Sequence, residues 1–275
     1  MRALKLTLVA LSLLCTSFSY AQGGFTLSGQ DQKPDPKAAK GQPTAKTQEE
    51  FKDYQAAMQL PDGPTLEKTA QEFETKYPQS DLRSLVWVRC MMLYYGGGNA
   101  GKTATIGHKV LALDPDNVQA SIITAHAMTY VIRDSDVDMD VKLAEAKKLA
   151  ENGIAGIKDK LPLPPDIAPA KAEQVRNMMR SIGLSTLGDI AYKSKDYATG
   201  EKDYLDSIKT DPEGVDEMTY FYLAASQDKL QKYSEAMKNI EKVIAAAPAG
   251  SALSAKANEE KTRLKQLMAN PAPKP

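Results

Sequence analysis

The chain has 275 residues, and its 35 Lys and Arg residues balance its 35 Asp and Glu residues, so its formal net charge is +0. This balance provides no long-range attraction to nucleic acid or to an anionic membrane, and we expect neither as a partner. One of its cysteines, Cys15, lies in an N-terminal segment that we expect to be removed. Cys90 is then left without a disulfide partner inside the chain, so packing must stabilise the fold.

Residues 1–21 have the pattern of a secretory signal peptide. Arg2 and Lys5 form a basic start, an apolar run follows, and the small residues Ser19 and Ala21 precede the expected cleavage site. The apolar run is too short for a permanent transmembrane helix, and no later stretch is apolar enough to cross a bilayer. We therefore expect an exported protein, periplasmic or secreted, with no integral membrane segment in the mature chain.

Two further segments have compositions typical of disorder. Residues 22–46 are rich in Gln, Lys, Pro, Gly and Asp and contain few large apolar residues. Such a segment buries too little surface to offset the entropy of ordering it, so we expect a disordered linker. Residues 270–275 alternate Pro with small or charged residues, which predicts a flexible tail. Residues 47–269 remain as one folded domain.

Within residues 47–269, apolar residues recur at helical spacing, and Pro or Gly interrupts them at regular intervals. No stretch shows the period-two alternation of a strand. The pattern predicts five pairs of helices followed by a charged capping helix, with Asp81 and Asp140 as N-caps of the third and sixth helices. The expected helices cover residues 51–58, 66–77, 82–95, 103–113, 118–132, 141–157, 168–193, 197–210, 217–230, 234–247 and 251–268.

A weak internal repeat links the last two pairs. Six residues of the first copy recur 36 positions later with similar character. A period of this length indicates stacked helical hairpins. The first copy has Leu187, Gly188, Gly200, Tyr204, Ser207 and Pro212, and the second has Leu223, Ala224, Ala236, Ile240, Val243 and Pro248.

The segment from Leu184 to Pro212 resembles a tetratricopeptide repeat (TPR), in which small residues such as Gly188, Gly200 and Ser207 let two helices approach closely. The likeness spans about residues 47–268. It is strongest in the C-terminal third and partial around Trp87, because Gly107 stands where a large apolar residue is usual. It implies an all-α, right-handed superhelix of antiparallel helix pairs with a concave groove.

The resemblance also implies a function. A TPR protein of the exported bacterial type is a non-enzymatic scaffold that binds a protein or peptide in its groove and needs no cofactor. Aromatic groups would anchor such a peptide and charges would set its register. The family's pattern projects these residues onto the groove side: Met92, Tyr95, Asp189, Tyr192, Lys193, Phe221, Asp228 and Lys229.

One alternative role comes from the end of the second helix. The segment Phe73-Glu74-Thr75-Lys76-Tyr77-Pro78-Gln79-Ser80 is similar to helix ends of periplasmic TPR proteins that serve outer-membrane or cell-wall assembly. A component of such machinery is therefore an alternative to a general scaffold, and the identity of the partner would distinguish them.

A second alternative is nucleotide binding. Residues 96–103 match G-x-x-x-x-G-K-[ST], a loop whose amides and lysine, here Lys102, hold phosphates. That function requires a buried strand before the loop. Because the preceding residues follow a helical pattern, a turn between two helices is favoured over a phosphate-binding loop.

A third alternative is calcium binding by the acidic segment that begins at Asp134. Carboxylates alternate from Asp134 to Asp140, and Glu145 stands at the twelfth position of the segment. The sixth position of a calcium loop needs glycine, yet Met139 occupies it. A solvated start of the following helix is therefore favoured over a metal site.

Other reactive residues favour structural roles. His108 and His126 have no Cys or His at ligand spacing, so we expect no zinc site. Cys90 lies on an apolar helix face and is expected to be a buried thiol. The pairs Met91-Met92 and Met178-Met179 are expected to fill gaps between helices.

Overall fold

The computed structural model describes residues 43–269. The predicted signal peptide, most of the predicted linker and the predicted tail at 270–275 lie outside these residues. The described part of the chain contains eleven helices and no strand, which confirms the expected all-α class. A search of the same residues finds no helix with the length and apolar character needed to span a bilayer.

The helices follow the predicted order, and most of their bounds lie within three residues of expectation. They are α1 Gln48–Met58, α2 Gly63–Lys76, α3 Arg83–Gly96, α4 Ala100–Leu113, α5 Val118–Val131, α6 Met139–Lys160, α7 Pro169–Lys193, α8 Tyr197–Thr210, α9 Glu217–Lys229, α10 Tyr233–Ala246 and α11 Ala252–Ala269.

Each helix packs against its neighbours in the chain, so the helices form a stack of antiparallel pairs, and α11 covers the last pair. The first helices of successive pairs also contact one another directly: α1 with α3, α3 with α5, α5 with α7 and α7 with α9. The second helices pack mainly against the helices next to them in sequence. The first helices are therefore the inner side of the array, which confirms the TPR-like α-solenoid.

Small residues set the contact between α7 and α8, as the repeat pattern predicts. A methyl group on Gly188 would come within 2.7 Å of the Tyr204 ring, and one on Gly200 would lie 3.4 Å from the Gly188 carbonyl oxygen. The Ser207 hydroxyl lies 2.9 Å from that of Ser181. In the second copy, Ala224 and Ala236 are fully buried at the equivalent contact.

The residue that departs from the TPR pattern, Gly107, also lies at a tight contact. Its α-carbon faces the Thr124 side chain on α5 and the Met91 sulfur on α3. These neighbours fill the space that a large side chain on α4 would otherwise occupy. The departure is therefore compensated by packing from α3 and α5.

Two predicted N-caps are wrong. Leu82 holds the cap position of α3, and the Ser80 hydroxyl accepts a hydrogen bond from the Leu82 amide at 3.0 Å. Asp140 lies inside the first turn of α6, one residue after the helix begins. In contrast, Asn99 caps α4 by accepting a hydrogen bond from the Lys102 amide, so α4 begins three residues earlier than expected.

The expected core positions of the sulfur-containing residues are confirmed. Cys90 is fully buried, and burial raises the pKa of its thiol to about 12. Such a thiol remains protonated at neutral pH and is a poor nucleophile. The methionine pairs Met91-Met92 and Met178-Met179 are buried in the same core cluster.

Candidate functional site

The inner side of the array carries a row of aromatic rings on four successive first helices. Tyr95 of α3, His126 and Tyr130 of α5, Tyr192 of α7 and Tyr222 of α9 form what we call the aromatic groove. The His126 ring centroid lies 5.6 Å from that of Tyr95 and 5.1 Å from that of Tyr130. Tyr192 and Tyr222 lie 5.2 Å apart across the next pair boundary. These distances are those of paired aromatic rings.

Hydrogen bonding fixes the α3–α5 part of the aromatic groove. The Tyr95 hydroxyl and the His126 Nδ1 atom lie 3.1 Å apart. Burial lowers the pKa of His126, although the Asp216 carboxylate opposes this effect. A neutral imidazole nitrogen can accept a hydrogen bond from the tyrosine hydroxyl, so the two groups satisfy each other. Tyr130 remains 49% exposed and offers ring surface to a ligand.

Asp189 of α7 lies at the centre of the groove. Its carboxyl group accepts hydrogen bonds from the Tyr204 hydroxyl at 2.7 Å and from the Thr129 hydroxyl at 3.3 Å. Burial is the main cause that raises the pKa of Asp189 to about 7, and the Asp216 carboxylate adds to the increase. A carboxyl group with this pKa changes charge near neutral pH.

The rim of the groove carries both signs of charge. Asp216 caps α9 by accepting a hydrogen bond from the Thr219 amide at 2.9 Å, and its side chain is exposed at the groove's edge. Lys193 donates to the Ile132 carbonyl oxygen at 3.1 Å and therefore links α7 to the end of α5. The groove thus combines rings, carboxylates and one lysine.

Four of the sequence-predicted groove residues lie in this region: Tyr95, Asp189, Tyr192 and Lys193. Phe221 is half-buried and packs against the core between α9, α10 and α11, although its ring centroid lies 5.7 Å from that of Tyr222. Tyr222 therefore provides the ring that faces Tyr192. Whether any of these residues binds a partner remains a prediction.

The other three predicted groove residues differ in their exposure. Met92 is 3% exposed and packs in the core, so it has almost no surface for a partner. Asp228 is 8% exposed because Arg263 of α11 pairs with it. The burial of Met92 corrects the sequence-based projection at that position, whereas Asp228 still acts electrostatically on the Tyr192 hydroxyl. Lys229 is exposed at the last position of α9.

Sequence reasoning missed His126, Tyr130 and Tyr222. One signal was present: His126 and Tyr130 are four residues apart and so share one face of α5. That helix is otherwise so apolar that no polar side distinguishes its inner face, and eleven of its residues are buried. The exposure of Tyr130, which the structure shows and the sequence does not, therefore identifies this face of α5 as a surface.

The glycine-rich segment before α4 does not have the geometry of a phosphate-binding loop. It follows helix α3, whereas that loop requires a preceding strand. Lys102 is paired with Glu67 at 2.8 Å, and the Thr103 hydroxyl donates to the Asn99 carbonyl oxygen at 2.8 Å. The segment is a turn between two helices, and the nucleotide alternative loses its structural basis.

The acidic segment before α6 forms ion pairs with lysine. Lys142 contacts Asp136 at 3.0 Å and Asp138 at 2.8 Å, while Glu145 faces His108 at 3.7 Å. Among residues 43–269, no group of three or more His, Cys, Asp or Glu side chains is arranged to hold a metal ion. Asp136 and Asp138 therefore serve as ion-pair partners of Lys142 in this arrangement.

Comparisons with known proteins give fold-level likeness only. No protein-family model and no curated protein matches the sequence. A thermophilic TPR protein of Thermus thermophilus, TTC0263, is similar in structure with a TM-score of 0.46 and 12% identity, over 77% of this chain and 98% of that chain. A chain of the APC/C hetero-tetramer Cut9–Hcn1 is similar with a TM-score of 0.38 and 13% identity, over 82% of this chain and 42% of that chain. Both likenesses are distant, and the fold described for this chain rests on its own helices and packing.

Proposed function

We propose that this protein is a non-enzymatic scaffold that holds an extended protein segment in its aromatic groove. The observation that supports this most is the row of rings on four successive first helices, with Tyr130 49% exposed. Tyrosine rings provide large, rigid contact area at low entropic cost, and they are enriched where proteins bind one another. The groove crosses several helix pairs, which suits an extended chain better than a small molecule.

The proposal is tested by selecting peptides from a phage-displayed random library on the purified chain. We expect enriched peptides whose binding weakens about tenfold or more when Tyr192→Ala and Tyr222→Ala are combined, because buried tyrosines are frequent binding hot spots. Binding is measured by fluorescence anisotropy with labelled copies of the selected peptides.

The matched control is Tyr220→Ala. Tyr220 lies on the same helix as Tyr222, but its ring contacts Lys242 of α10, with 4.8 Å between the ammonium and the ring centroid. This variant should bind the selected peptides as the wild type does. A library that yields no enriched peptide, or peptides that bind equally to the Tyr192/Tyr222 variant, would overturn the scaffold proposal.

We also propose that the scaffold acts outside the cytoplasm, in the cell envelope. The support is the signal-peptide pattern at residues 1–21 and the similarity of residues 73–80 to envelope-assembly TPR proteins. Fractionation of the native cells tests this part: recovery of the chain in the cytosol, with residues 1–21 still attached, would contradict it. Co-purification with outer-membrane or cell-wall assembly machinery would support the assembly role in particular.

A further inference from the structure

The exposed apolar side chains of the protein are concentrated at one place. Among residues 43–269, six large apolar side chains are exposed, and four of them lie at the end of α5, in the segment that follows it and in the first turn of α6. These four are Tyr130, Val131, Val137 and Val141. We call residues 130–141 the valine lip. Single apolar residues are common on protein surfaces, whereas a concentration of them marks an interaction site.

Hydrogen bonds and ion pairs order the backbone of the valine lip. The Arg133 amide donates to the Asp136 carboxylate at 3.3 Å, and the Asp136 amide donates to the Arg133 carbonyl oxygen at 3.0 Å. On either side of Val137, Asp136 and Asp138 contact the Lys142 ammonium at 3.0 Å and 2.8 Å. The Val137 side chain nevertheless remains fully exposed. The fold therefore presents this valine to solvent from a well-tied turn.

The valine lip is continuous with the aromatic groove. Tyr130 belongs to both, and its ring centroid lies 5.1 Å from that of His126 in the groove. Two residues later, the Ile132 carbonyl oxygen accepts a hydrogen bond at 3.1 Å from Lys193, the neighbour of Tyr192 in the chain. These contacts attach the lip to the groove at both α5 and α7. A segment that extends past Tyr130 therefore reaches the lip.

Net charge does not define this surface. The lip and the adjacent Lys142 contain four aspartates, one arginine and one lysine, and Lys142 pairs with Asp136 and Asp138. The other charged side chains are exposed and carry both signs: Arg133, Asp134 and Asp140. The valines are therefore the groups that distinguish the lip from an ordinary solvated turn, and they favour an apolar ligand.

The size of the lip favours an extended segment over a folded partner. A stable interface between two folded proteins, including two copies of this chain, buries about 800 Å² on each partner. Four side chains, two of which are less than half exposed, provide only a small part of that area. The lip is large enough to contact one or two side chains of a segment that the groove already holds.

We propose that the valine lip binds a large aliphatic side chain of the segment held in the aromatic groove, close to the residue that contacts Tyr130. This inference rests on the proposed scaffold function and adds the chemistry of the partner, an extended segment with an aliphatic residue beside the part that meets the rings. That side chain covers Val137 and Val141, and the burial of apolar surface on both sides drives the contact.

The library selection tests this inference with a variant that combines Val137→Ser and Val141→Ser. Peptides enriched on the wild-type chain should share one position occupied by Leu, Ile or Met. The variant should bind these peptides about tenfold more weakly, because burial of an aliphatic side chain gives about that factor. Both valines are exposed, so the substitutions should leave the fold intact, and thermal melting verifies this.

A double-mutant cycle assigns the contact to its two partners. Replacing the shared aliphatic residue of the peptide by alanine should weaken binding about tenfold on the wild type and change little on the Val137/Val141 variant. The matched control is Leu205→Ser on α8, an exposed aliphatic residue outside the groove and the lip. This control should bind the selected peptides as the wild type does, with the full effect of the alanine replacement.

Photo-crosslinking without peptide detects other occupants of the lip. A benzoylphenylalanine at position 137 is irradiated in the purified chain, alone and with vesicles of phosphatidylethanolamine and phosphatidylglycerol. The inference predicts no specific product. A crosslinked dimer, a crosslink to residues 22–42 of the same chain or a crosslink to lipid would overturn it in favour of that occupant.

The outcomes separate the two proposals. Selected peptides that depend on Tyr192 and Tyr222 but bind the Val137/Val141 variant as tightly as the wild type would overturn this inference and leave the scaffold function intact. An alanine effect of equal size on both chains would do the same. Failure to enrich any peptide would overturn both.

Discussion

Asp189 illustrates how the groove changes the chemistry of a single side chain. Two hydroxyl donors stabilise its ionised form, but burial and the Asp216 carboxylate outweigh them and raise its pKa to about 7. In the unfolded chain the same group ionises near the ordinary value of 3.8. Between these values the folded protein retains a proton that the unfolded chain has released.

The stability of the protein should therefore depend on pH through this residue. Because the folded state binds more protons, the free energy of unfolding falls as pH rises through the window between the two pKa values. The two pKa values differ by about three units, and at 1.36 kcal/mol per unit the full effect would be about 4 kcal/mol. We expect Asp189 to lower the free energy of unfolding by about half of this, about 2 kcal/mol, because solvent partly reaches the group. Below this window Asp189 is protonated in both states, so the decrease in the free energy of unfolding is absent.

Urea unfolding at about pH 4.5 and about pH 8 measures this effect. Asp189→Asn should flatten the pH dependence and should be more stable than the wild type at the higher pH. Asp206→Asn, whose carboxylate is exposed and paired with Lys202, should retain the wild-type slope. Parallel curves for the wild type and Asp189→Asn would show that Asp189 ionises normally in the fold.

At the scale of the helix, the contact between α7 and α8 depends on the absence of a side chain at Gly188. The Tyr204 ring that packs there is fully buried, and its hydroxyl donates to Asp189. The ring cannot move away from a new methyl group without losing that hydrogen bond. Gly188 thus allows Tyr204 to pack between α7 and α8 and to donate its hydrogen bond to Asp189 at the centre of the groove.

We expect Gly188→Ala to destabilise the fold by about 1–3 kcal/mol, the usual cost of overpacking. The control is Gly101→Ala in the first turn of α4, where the new methyl group would meet only the Asn99 side chain, at 3.9 Å. Alanine should be neutral or stabilising there by about 0.5–1 kcal/mol, because it restricts the unfolded chain. Equal melting temperatures for the two variants would contradict the proposed contact.

The sequence predicts the helices well because helical periodicity is a local property. The rotation of each helix is set by its neighbours, and this explains why the projection places Met92 on the groove side although its side chain is buried in the core. Asp228 has little exposed surface, and Arg263, 35 residues later in the chain, pairs with it. The two predicted caps are wrong because α3 and α6 have Leu82 and Asp138 at their cap positions, and neither makes the side-chain hydrogen bond that a sequence pattern for capping assumes.

At the scale of the whole molecule, the array gives the first helices a shared inner surface. Direct contacts between α3, α5, α7 and α9 bring together rings from residues 95 to 222. The terminal helix α11 shields the end of the core through the fully buried Ala257 and Leu264. The aromatic groove is therefore formed by the stack as a whole, and no single helix pair contains it.

Site-specific photo-crosslinking tests this account most directly. A benzoylphenylalanine is placed at Tyr130 on the inner helix α5 or at Leu205 on the outer helix α8, two positions with similar exposure, 49% and 46%. The purified variants are irradiated with a labelled peptide from the library selection. The account predicts a crosslink from position 130 and none from position 205; equal crosslinking, or crosslinking from 205 alone, would contradict binding in the aromatic groove.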